Sequence, residues 1–148
     1  MFKKLLVEYI KEKAIQSKNK ELHVYDFDHT LYKEDSKTWI EETVSAARNS
    51  ISHKNTISII CTAREKNQKE DLHKHLLTKN LKFDDVFMYN KKEPVSIYKS
   101  NVVEKIINSS NFKITNIVLW EDNEENISEI EKLASLREIP VQIFHVKK

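Results

Sequence analysis

The sequence of 148 residues contains no glycine, and this absence excludes two common ways of binding a phosphate group. Glycine lets the backbone approach a ligand closely and adopt positive φ. The Walker phosphate loop and the G-x-G-x-x-G dinucleotide motif both depend on it. Any phosphate site in this chain must therefore be built from side chains, helix ends and a metal ion.

Cysteine is almost absent as well. The single cysteine, Cys61, has no second thiol with which to form an internal disulfide, which suits a reducing compartment and predicts a cytoplasmic protein. Because Cys61 ends an apolar segment at residues 57–61, we expect it to be a small buried hydrophobe. A reactive thiol is the alternative interpretation.

Long apolar segments and a strong net charge are also missing. No segment approaches the roughly 20 apolar residues that span a bilayer, so no membrane partner is expected. The net charge of +2 gives no global field that would indicate binding of nucleic acid, but it does not exclude a local basic patch. The length predicts one domain, residues 1–148, with a single core.

Apolar segments typical of strands alternate with helical patterns along the chain. Strands are predicted at 22–25, 56–61, 86–89, 114–120 and 141–146, and helices at 38–49, 65–78, 96–108 and 124–136. This alternation predicts an α/β, three-layer, Rossmann-like fold with a parallel sheet of about five strands and helices on both faces.

A further helix is predicted at residues 1–16, followed by a polar linker at 17–21. Apolar residues recur there at helical spacing, and charged residues that interrupt them exclude a signal peptide. We expect residues 1–20 to pack on the core of the domain. A helix that binds a membrane surface or a partner is the alternative.

Two carboxylates follow the first predicted strand, at Asp26 and Asp28, with a hydroxyl at Thr30. Like charges crowded at a strand end raise a pKa or recruit a cation. Mg²⁺ prefers oxygen ligands and usually takes one or two protein carboxylates. The alternative interpretation is an ordinary polar turn, because Asp and Thr are common turn residues.

Polar residues also follow the second and fourth predicted strands, at Thr62 to Arg64 and at Glu121 to Asn123. In open α/β sheets the ligand site lies beyond the carboxyl ends of the strands. We therefore expect the three groups of polar residues to meet at one site.

In this order, Asp26-x-Asp28-x-Thr30, Thr62, a lysine near the start of a later helix and Glu121-Asp122 resemble the four motifs of the haloacid dehalogenase (HAD) superfamily of phosphohydrolases. The resemblance covers residues 22–146. It implies a HAD fold with strand order 5-4-1-2-3, and the short segments between the motifs leave no room for a large cap domain.

The resemblance also implies a mechanism. Asp26 matches the nucleophile that forms an aspartyl-phosphate, and Asp28 matches the general acid and base. Asp122 matches the residue that completes a Mg²⁺ site with Asp26 and the backbone carbonyl of Asp28. Glu121 is expected beside that site, either as a ligand through water or as an acceptor behind the ligands.

Two further motif residues would contact the phosphoryl group. Thr62 matches the hydroxyl that bonds a phosphoryl oxygen, and Lys99 matches the lysine that stabilises charge on the nucleophile and the phosphate. Lys91, Lys92 and Lys105 are the alternatives for the lysine. Lys99 is favoured because it lies near the start of its predicted helix.

Three more residues are weaker candidates. His29 stands where many relatives carry glycine, and it is expected to tolerate positive φ and to contact substrate. Arg64 is expected to bind a second phosphate in a bidentate manner, with a surface ion pair as the alternative. Asn126, four residues after Asp122, is either a polar site residue or a helix-surface asparagine.

The residues around the motifs, including Trp39, Arg64 and Tyr98, resemble Swiss Army Knife RNA-repair HAD domains, and the spacing from Lys99 to Asp122 is similar to that in phage-type polynucleotide 3'-phosphatases. The resemblance implies a Mg²⁺-dependent phosphomonoesterase acting on a nucleic-acid or nucleotide phosphate end. The alternatives are a small-metabolite phosphatase and a catalytically weak binding or regulatory protein of the same fold.

Overall fold

The computed structural model describes residues 18–109 and 111–147. Within these ranges, seven strands are formed by Asn19–Tyr25 (β1), Tyr32–Lys33 (β2), Thr38–Trp39 (β3), Thr56–Glu65 (β4), Asp85–Tyr89 (β5), Lys113–Glu121 (β6) and Val141–His145 (β7). The α-helices of the same ranges are Glu41–Ser52 (α1), Lys69–Thr78 (α2), Val95–Ile107 (α3) and Glu124–Leu136 (α4), and Lys66–Gln68 forms a short 3₁₀ helix.

Five of these strands form one sheet in the order β5-β4-β1-β6-β7, and every pairing in it is parallel. Counted in chain order among the sheet strands alone, this order is 3-2-1-4-5. It is the predicted 5-4-1-2-3 order seen from the opposite edge of the sheet. The predicted α/β fold is therefore confirmed.

Alternating side chains of the central strand fill two cores, one on each face of the sheet. Leu22 and Val24 of β1 pack with residues of α3 and α4, whereas Tyr25 packs on the other face with residues of α1 and α2. Successive residues of a strand point to opposite faces, which explains this division. Because both faces are covered, the carboxyl edge of the sheet is where polar side chains can gather.

The structure corrects the prediction of a helix that begins at residue 38. Tyr32 is buried and pairs across a two-stranded antiparallel ribbon with Trp39, with 5.0 Å between ring centroids. Cross-strand aromatic pairs stabilise such ribbons. Helix α1 therefore begins only at Glu41.

Other boundaries also differ from the predictions. Strand β4 continues to Glu65, so that Thr62 and Arg64 lie within it, and α2 begins at Lys69 after the 3₁₀ helix. Strand β1 already begins at Asn19, within the predicted linker. The helix predicted at 1–16 lies outside the described residues. Within the described ranges, no helix is long and apolar enough to cross a bilayer.

Candidate active site

A cavity of about 410 Å³ opens at the carboxyl edge of the sheet. It is bordered by the segment after β1, by β4, and by the first turns of α3 and α4. The lining residues are Asp26, Asp28, His29, Ala63, Pro94, Val95, Ser96, Lys99, Asp122, Asn123, Glu125 and Asn126. Most of the predicted site residues therefore surround one space, as the strand topology requires.

A tight turn after β1 positions the two aspartates. The backbone N–H of Asp26 donates to the Trp120 carbonyl of β6 at 3.0 Å, which continues the pairing of β1 with β6. The chain then folds back, and the N–H groups of Leu31 and Tyr32 both donate to the carbonyl of Phe27. His29 takes a φ of 61° in this turn, a conformation that glycine adopts more easily than a residue with a Cβ atom.

The carboxylate of Asp26 is buried, and both of its oxygens accept hydrogen bonds. Oδ1 accepts from Lys99 Nζ at 2.9 Å, and Oδ2 accepts from Thr30 Oγ1 at 3.1 Å. Burial by itself would raise the pKa of Asp26, but the charge of Lys99 and hydrogen bonds with neighbouring side chains together outweigh burial and lower the pKa. Asp26 is therefore held in one orientation as an anion.

Lys99 reaches this carboxylate from the second turn of α3. Its side chain is only 2% exposed, and Nζ also donates to Glu121 Oε1 at 2.7 Å. Burial would lower the pKa of Lys99, but the charges of Asp26 and Glu121 raise it overall. Lys105 is exposed on the same helix, and Lys91 pairs with Glu65 at 2.8 Å. The geometry thus brings Lys99, rather than either of these lysines, to Asp26.

Glu121 accepts four hydrogen bonds in the turn between β6 and α4. Oε1 accepts from Lys99 and from Asn126 Nδ2, and Oε2 accepts from the backbone N–H groups of Asp122 and Asn123. Burial, together with the charge of Asp26, raises the pKa of Glu121 to about 8. This carboxylate links the lysine to the turn that presents Asp122.

Asp122 completes a cluster of carboxylates at this turn. One oxygen from each of Asp26, Glu121 and Asp122 lies within 4.8 Å of the other two. Helix α4 is fixed behind them by Asn123, whose side-chain oxygen accepts the N–H of Asn126 at 3.1 Å. Three clustered carboxylate oxygens are a donor set that suits a hard cation such as Mg²⁺.

Asp28 is held by Arg64 instead of by this cluster. Arg64 Nε donates to Asp28 Oδ2 and Nη2 donates to Oδ1, both at 2.9 Å. The same guanidinium donates to Glu34 at 3.1 Å and to Asp71 at 3.3 Å. The hydrogen bonds and charges of Asp28 and Glu34 raise the pKa of Arg64. The bidentate partner in the structure is thus Asp28, and the substrate contact expected of Arg64 stays a prediction.

Thr62 lies near the end of β4 and is fully buried. Its Oγ1 accepts the backbone N–H of Arg64 at 3.1 Å, and it is not among the residues that line the cavity, whereas its neighbour Ala63 is. The expected bond from Thr62 to a phosphoryl oxygen therefore stays a prediction. Cys61, just before it, is buried, and burial raises the pKa of its thiol to about 12.

Four residues without a predicted role also lie around the site. Thr30 bonds the Asp26 carboxylate, and Asn123 caps α4. The role of Asn123 could have been predicted from the sequence, because asparagine directly before a helix is a common N-cap. Glu34 and Asp71 meet at Arg64 from distant segments, and no local sequence pattern indicates that contact.

The parallel sheet, the acidic cluster and the lysine together define a HAD-like domain. The chain belongs to HAD domain family 1 in Swiss Army Knife RNA repair proteins, whose model matches residues 3–147. Membership in this family suggests a phosphatase-type function. A comparison with curated proteins found no sequence match.

Solved structures share the fold at low sequence identity. The structure of the Pnkp1/Rnl/Hen1 RNA repair complex matches with a TM-score of 0.66 at 13% identity over 87% of this chain and 43% of that chain. A second structure of the Pnkp1/Rnl/Hen1 complex matches with a TM-score of 0.64 at 13% identity over 88% of this chain. This chain spans 47% of that second chain, so it corresponds to less than half of either protein.

The HAD domain of effector protein Lem4 from Legionella pneumophila is similar along nearly its whole length. The TM-score is 0.67 at 12% identity, and 88% of each chain is covered. At these identities the three structures support the fold alone.

Proposed function

We propose that this protein is a Mg²⁺-dependent phosphomonoesterase that acts through an aspartyl-phosphate on Asp26. The observation that carries the proposal is the Asp26 carboxylate, which borders an open cavity and is fixed by Lys99 on one oxygen and by Thr30 on the other. A buried anion held in one orientation is suited to nucleophilic attack on a phosphoryl group.

The acidic residues fit a divalent cation. Asp26 and Asp122 would hold Mg²⁺, since their oxygens cluster with that of Glu121 and both border the cavity. Glu121 would support the site from behind, because Lys99, Asn126 and two backbone N–H groups already donate to it. Bound Mg²⁺ would neutralise the repulsion between the anionic carboxylate and the anionic phosphate.

Because Asp26 is the nucleophile, hydrolysis proceeds through two displacements at phosphorus. An Asp26 oxygen attacks phosphorus while the bond to the leaving oxygen breaks, and Asp28 gives its proton to that oxygen. In the second displacement Asp28 takes a proton from water as the water attacks phosphorus and the bond to Asp26 breaks. Lys99 balances the negative charge beside Asp26 in both displacements.

The mouth of the cavity supports binding of a phosphate group. The N-terminal ends of α3 and α4 both border it, at Val95 and Ser96 of α3 and at Asn123, the N-cap of α4. Helix N-termini carry unpaired N–H groups and a positive partial charge, which favour anions. Two side-chain donors, Lys99 and Asn126, also border this space.

For the substrate we propose a phosphate at the end of a nucleic acid or nucleotide. The family is named for RNA repair proteins, and the matching complexes are RNA repair complexes. The segment between β1 and β4 contains only the β2-β3 ribbon, α1 and their connections, so no cap domain covers the cavity from there. An open cavity admits the end of a large substrate.

A substrate panel with metal control tests this proposal. Hydrolysis of a 3'-phosphorylated oligonucleotide, nucleoside monophosphates, sugar phosphates and p-nitrophenyl phosphate is followed with Mg²⁺ and with EDTA. We expect Mg²⁺-dependent turnover that is fastest on the oligonucleotide. Faster turnover of sugar phosphates would instead favour a small-metabolite phosphatase, and inertness towards every substrate would favour a binding protein.

The variant Asp26→Asn tests the nucleophile. The matched control is Asp35→Asn, because Asp35 is exposed between β2 and β3. The Asp26 variant should lose turnover and form no acid-stable phosphoenzyme with a labelled substrate, because an amide is not a nucleophile here. The control should keep wild-type turnover. Full activity of the Asp26 variant would rule out the assigned nucleophile.

A further inference from the structure

Arg64 is one of the few charged residues buried beside the cavity, with 8% of its side chain exposed. Its guanidinium lies 4.9 Å from the ring centroid of Phe27, which is itself fully buried. A guanidinium over an aromatic face is restrained by packing and by attraction to the ring. The side chain of Arg64 therefore has little freedom to move.

Three carboxylates from three segments of the chain surround this guanidinium. Asp28 comes from the turn after β1, Glu34 from the β2-β3 ribbon and Asp71 from α2. Glu34 and Asp71 are more than half exposed, at 58% and 59%, whereas Asp28 is 33% exposed and borders the cavity. Asp28 is the carboxylate that can contact a substrate, because it lines the cavity and Glu34 and Asp71 do not.

The contact with Asp28 fixes the plane of its carboxyl group. Two parallel hydrogen bonds of 2.9 Å join the planar guanidinium to both carboxyl oxygens. Such a bidentate pair specifies orientation as well as providing attraction. Each carboxyl oxygen has two lone pairs, so one lone pair on each oxygen remains available to carry a proton.

We propose that Arg64 is a positioning residue, whose guanidinium holds the Asp28 carboxyl group in the orientation that transfers a proton to and from the reacting oxygens. Glu34 and Asp71 hold the guanidinium from its other side. This inference rests on the proposed phosphatase function and adds to it, because it gives Arg64 a role in proton transfer that replaces direct contact with a second phosphate.

A proton donor matters most when the leaving group is a poor one. An alkoxide must be protonated as it departs, whereas p-nitrophenolate departs readily without a proton. Loss of Asp28 positioning should therefore slow the hydrolysis of an alkyl phosphate much more than that of p-nitrophenyl phosphate. A general disturbance of the fold would slow both reactions equally.

The experiment compares kcat/KM for a nucleoside 3'-phosphate and for p-nitrophenyl phosphate in the wild type, Arg64→Lys and the control Arg137→Lys. Lysine keeps the charge but cannot form the bidentate pair. We expect Arg64→Lys to lose about tenfold or more on the alkyl substrate relative to the aryl one. Arg137, which pairs with Glu104 on the surface, should give wild-type values.

Equal losses of Arg64→Lys on the two substrates would overturn the proposal. If thermal unfolding shows that Arg64→Lys is not folded, the variant Glu34→Gln with Asp71→Asn replaces it, because both side chains are more than half exposed. That variant should lose about threefold or more in kcat/KM on the alkyl substrate relative to the aryl one. Equal losses on the two substrates would also overturn the proposal. A wild type inactive on both substrates would instead contradict the proposed phosphatase function itself.

Discussion

Lys99 Nζ lies 2.9 Å from Asp26 Oδ1, although 73 positions separate the two residues in the chain. The contact exists because β1 and α3 both reach the carboxyl edge of the sheet. Nζ also lies 2.7 Å from Glu121 Oε1, so that one buried cation binds two buried carboxylates. Stability and catalysis should therefore depend on the same ammonium group.

Replacing this ammonium with an apolar side chain should affect both properties. Lys99→Met leaves two buried carboxylates without their cation, which we expect to lower the free energy of unfolding by about 3–5 kcal/mol. The loss of charge stabilisation should also reduce kcat by roughly 10²- to 10³-fold. Urea unfolding measured without metal and steady-state kinetics with Mg²⁺ would check the two effects separately.

Lys105→Met is the matched control for this substitution, since Lys105 is exposed on the same helix. It should change the free energy of unfolding by less than about 0.5 kcal/mol and leave kcat unaltered. If Lys99→Met kept wild-type kcat, the assignment of the lysine would have to move to another residue.

Asp122 should determine the response to metal. Ligands that bind only the native state raise its stability. Mg²⁺ should therefore raise the Tm of the wild type, and Asp122→Asn should abolish most of that increase because one of the clustered carboxylates is lost. Thermal unfolding across a Mg²⁺ titration measures this, with Glu131→Gln, exposed on α4, as control. An undiminished Mg²⁺ shift in Asp122→Asn would place the metal elsewhere.

Much of this molecule could be predicted from local sequence. The apolar segments predicted all five sheet strands, and polar residues near the carboxyl ends of β1, β4 and β6 indicated the edge of the sheet where the candidate site lies. What could not be predicted depends on contacts between distant segments. The pairing of Tyr32 with Trp39 creates a ribbon from a segment with polar composition, and the meeting of Glu34 and Asp71 at Arg64 follows from packing alone.

The choice among the lysines also depends on a contact between distant segments. Spacing favoured Lys99 over Lys91, Lys92 and Lys105, but only the fold shows that its side chain is buried against Asp26. The bidentate contact predicted between Arg64 and a second phosphate stays a prediction, and the guanidinium forms a bidentate pair with the Asp28 carboxylate in the structure. No local sequence pattern indicates that pair, because 36 positions separate the two residues.

His29 offers a direct test of backbone strain in the turn between the aspartates. Its φ of 61° is costly for residues with a Cβ atom and easy for glycine. We therefore expect His29→Gly to be more stable than His29→Ala by about 1 kcal/mol, as measured by urea unfolding. The opposite order of stability would show that the turn does not keep this conformation in solution.

His23 should make stability depend on pH. The ring is partly buried between the sheet and α1, where Nδ1 bonds Ser50 Oγ at 2.6 Å, and burial lowers the pKa of His23 despite the nearby Glu21 carboxylate. Since the unfolded chain then binds a proton more readily than the native state, the free energy of unfolding should fall as pH decreases below about 6.5. It should stop falling once the native ring is also protonated.

The variant His23→Gln removes this titration, so the stability difference between the wild type and the variant should shrink as pH falls from 7.5 to 5. Urea unfolding at several pH values measures it. His73→Gln, at an exposed position of α2, should instead follow the wild-type curve at every pH. If the free energies of unfolding of the wild type and of His23→Gln changed with pH in parallel, the pKa of the ring would be the same in the native and unfolded states. The burial of His23 beside Trp120, with 5.4 Å between ring centroids, argues against that result.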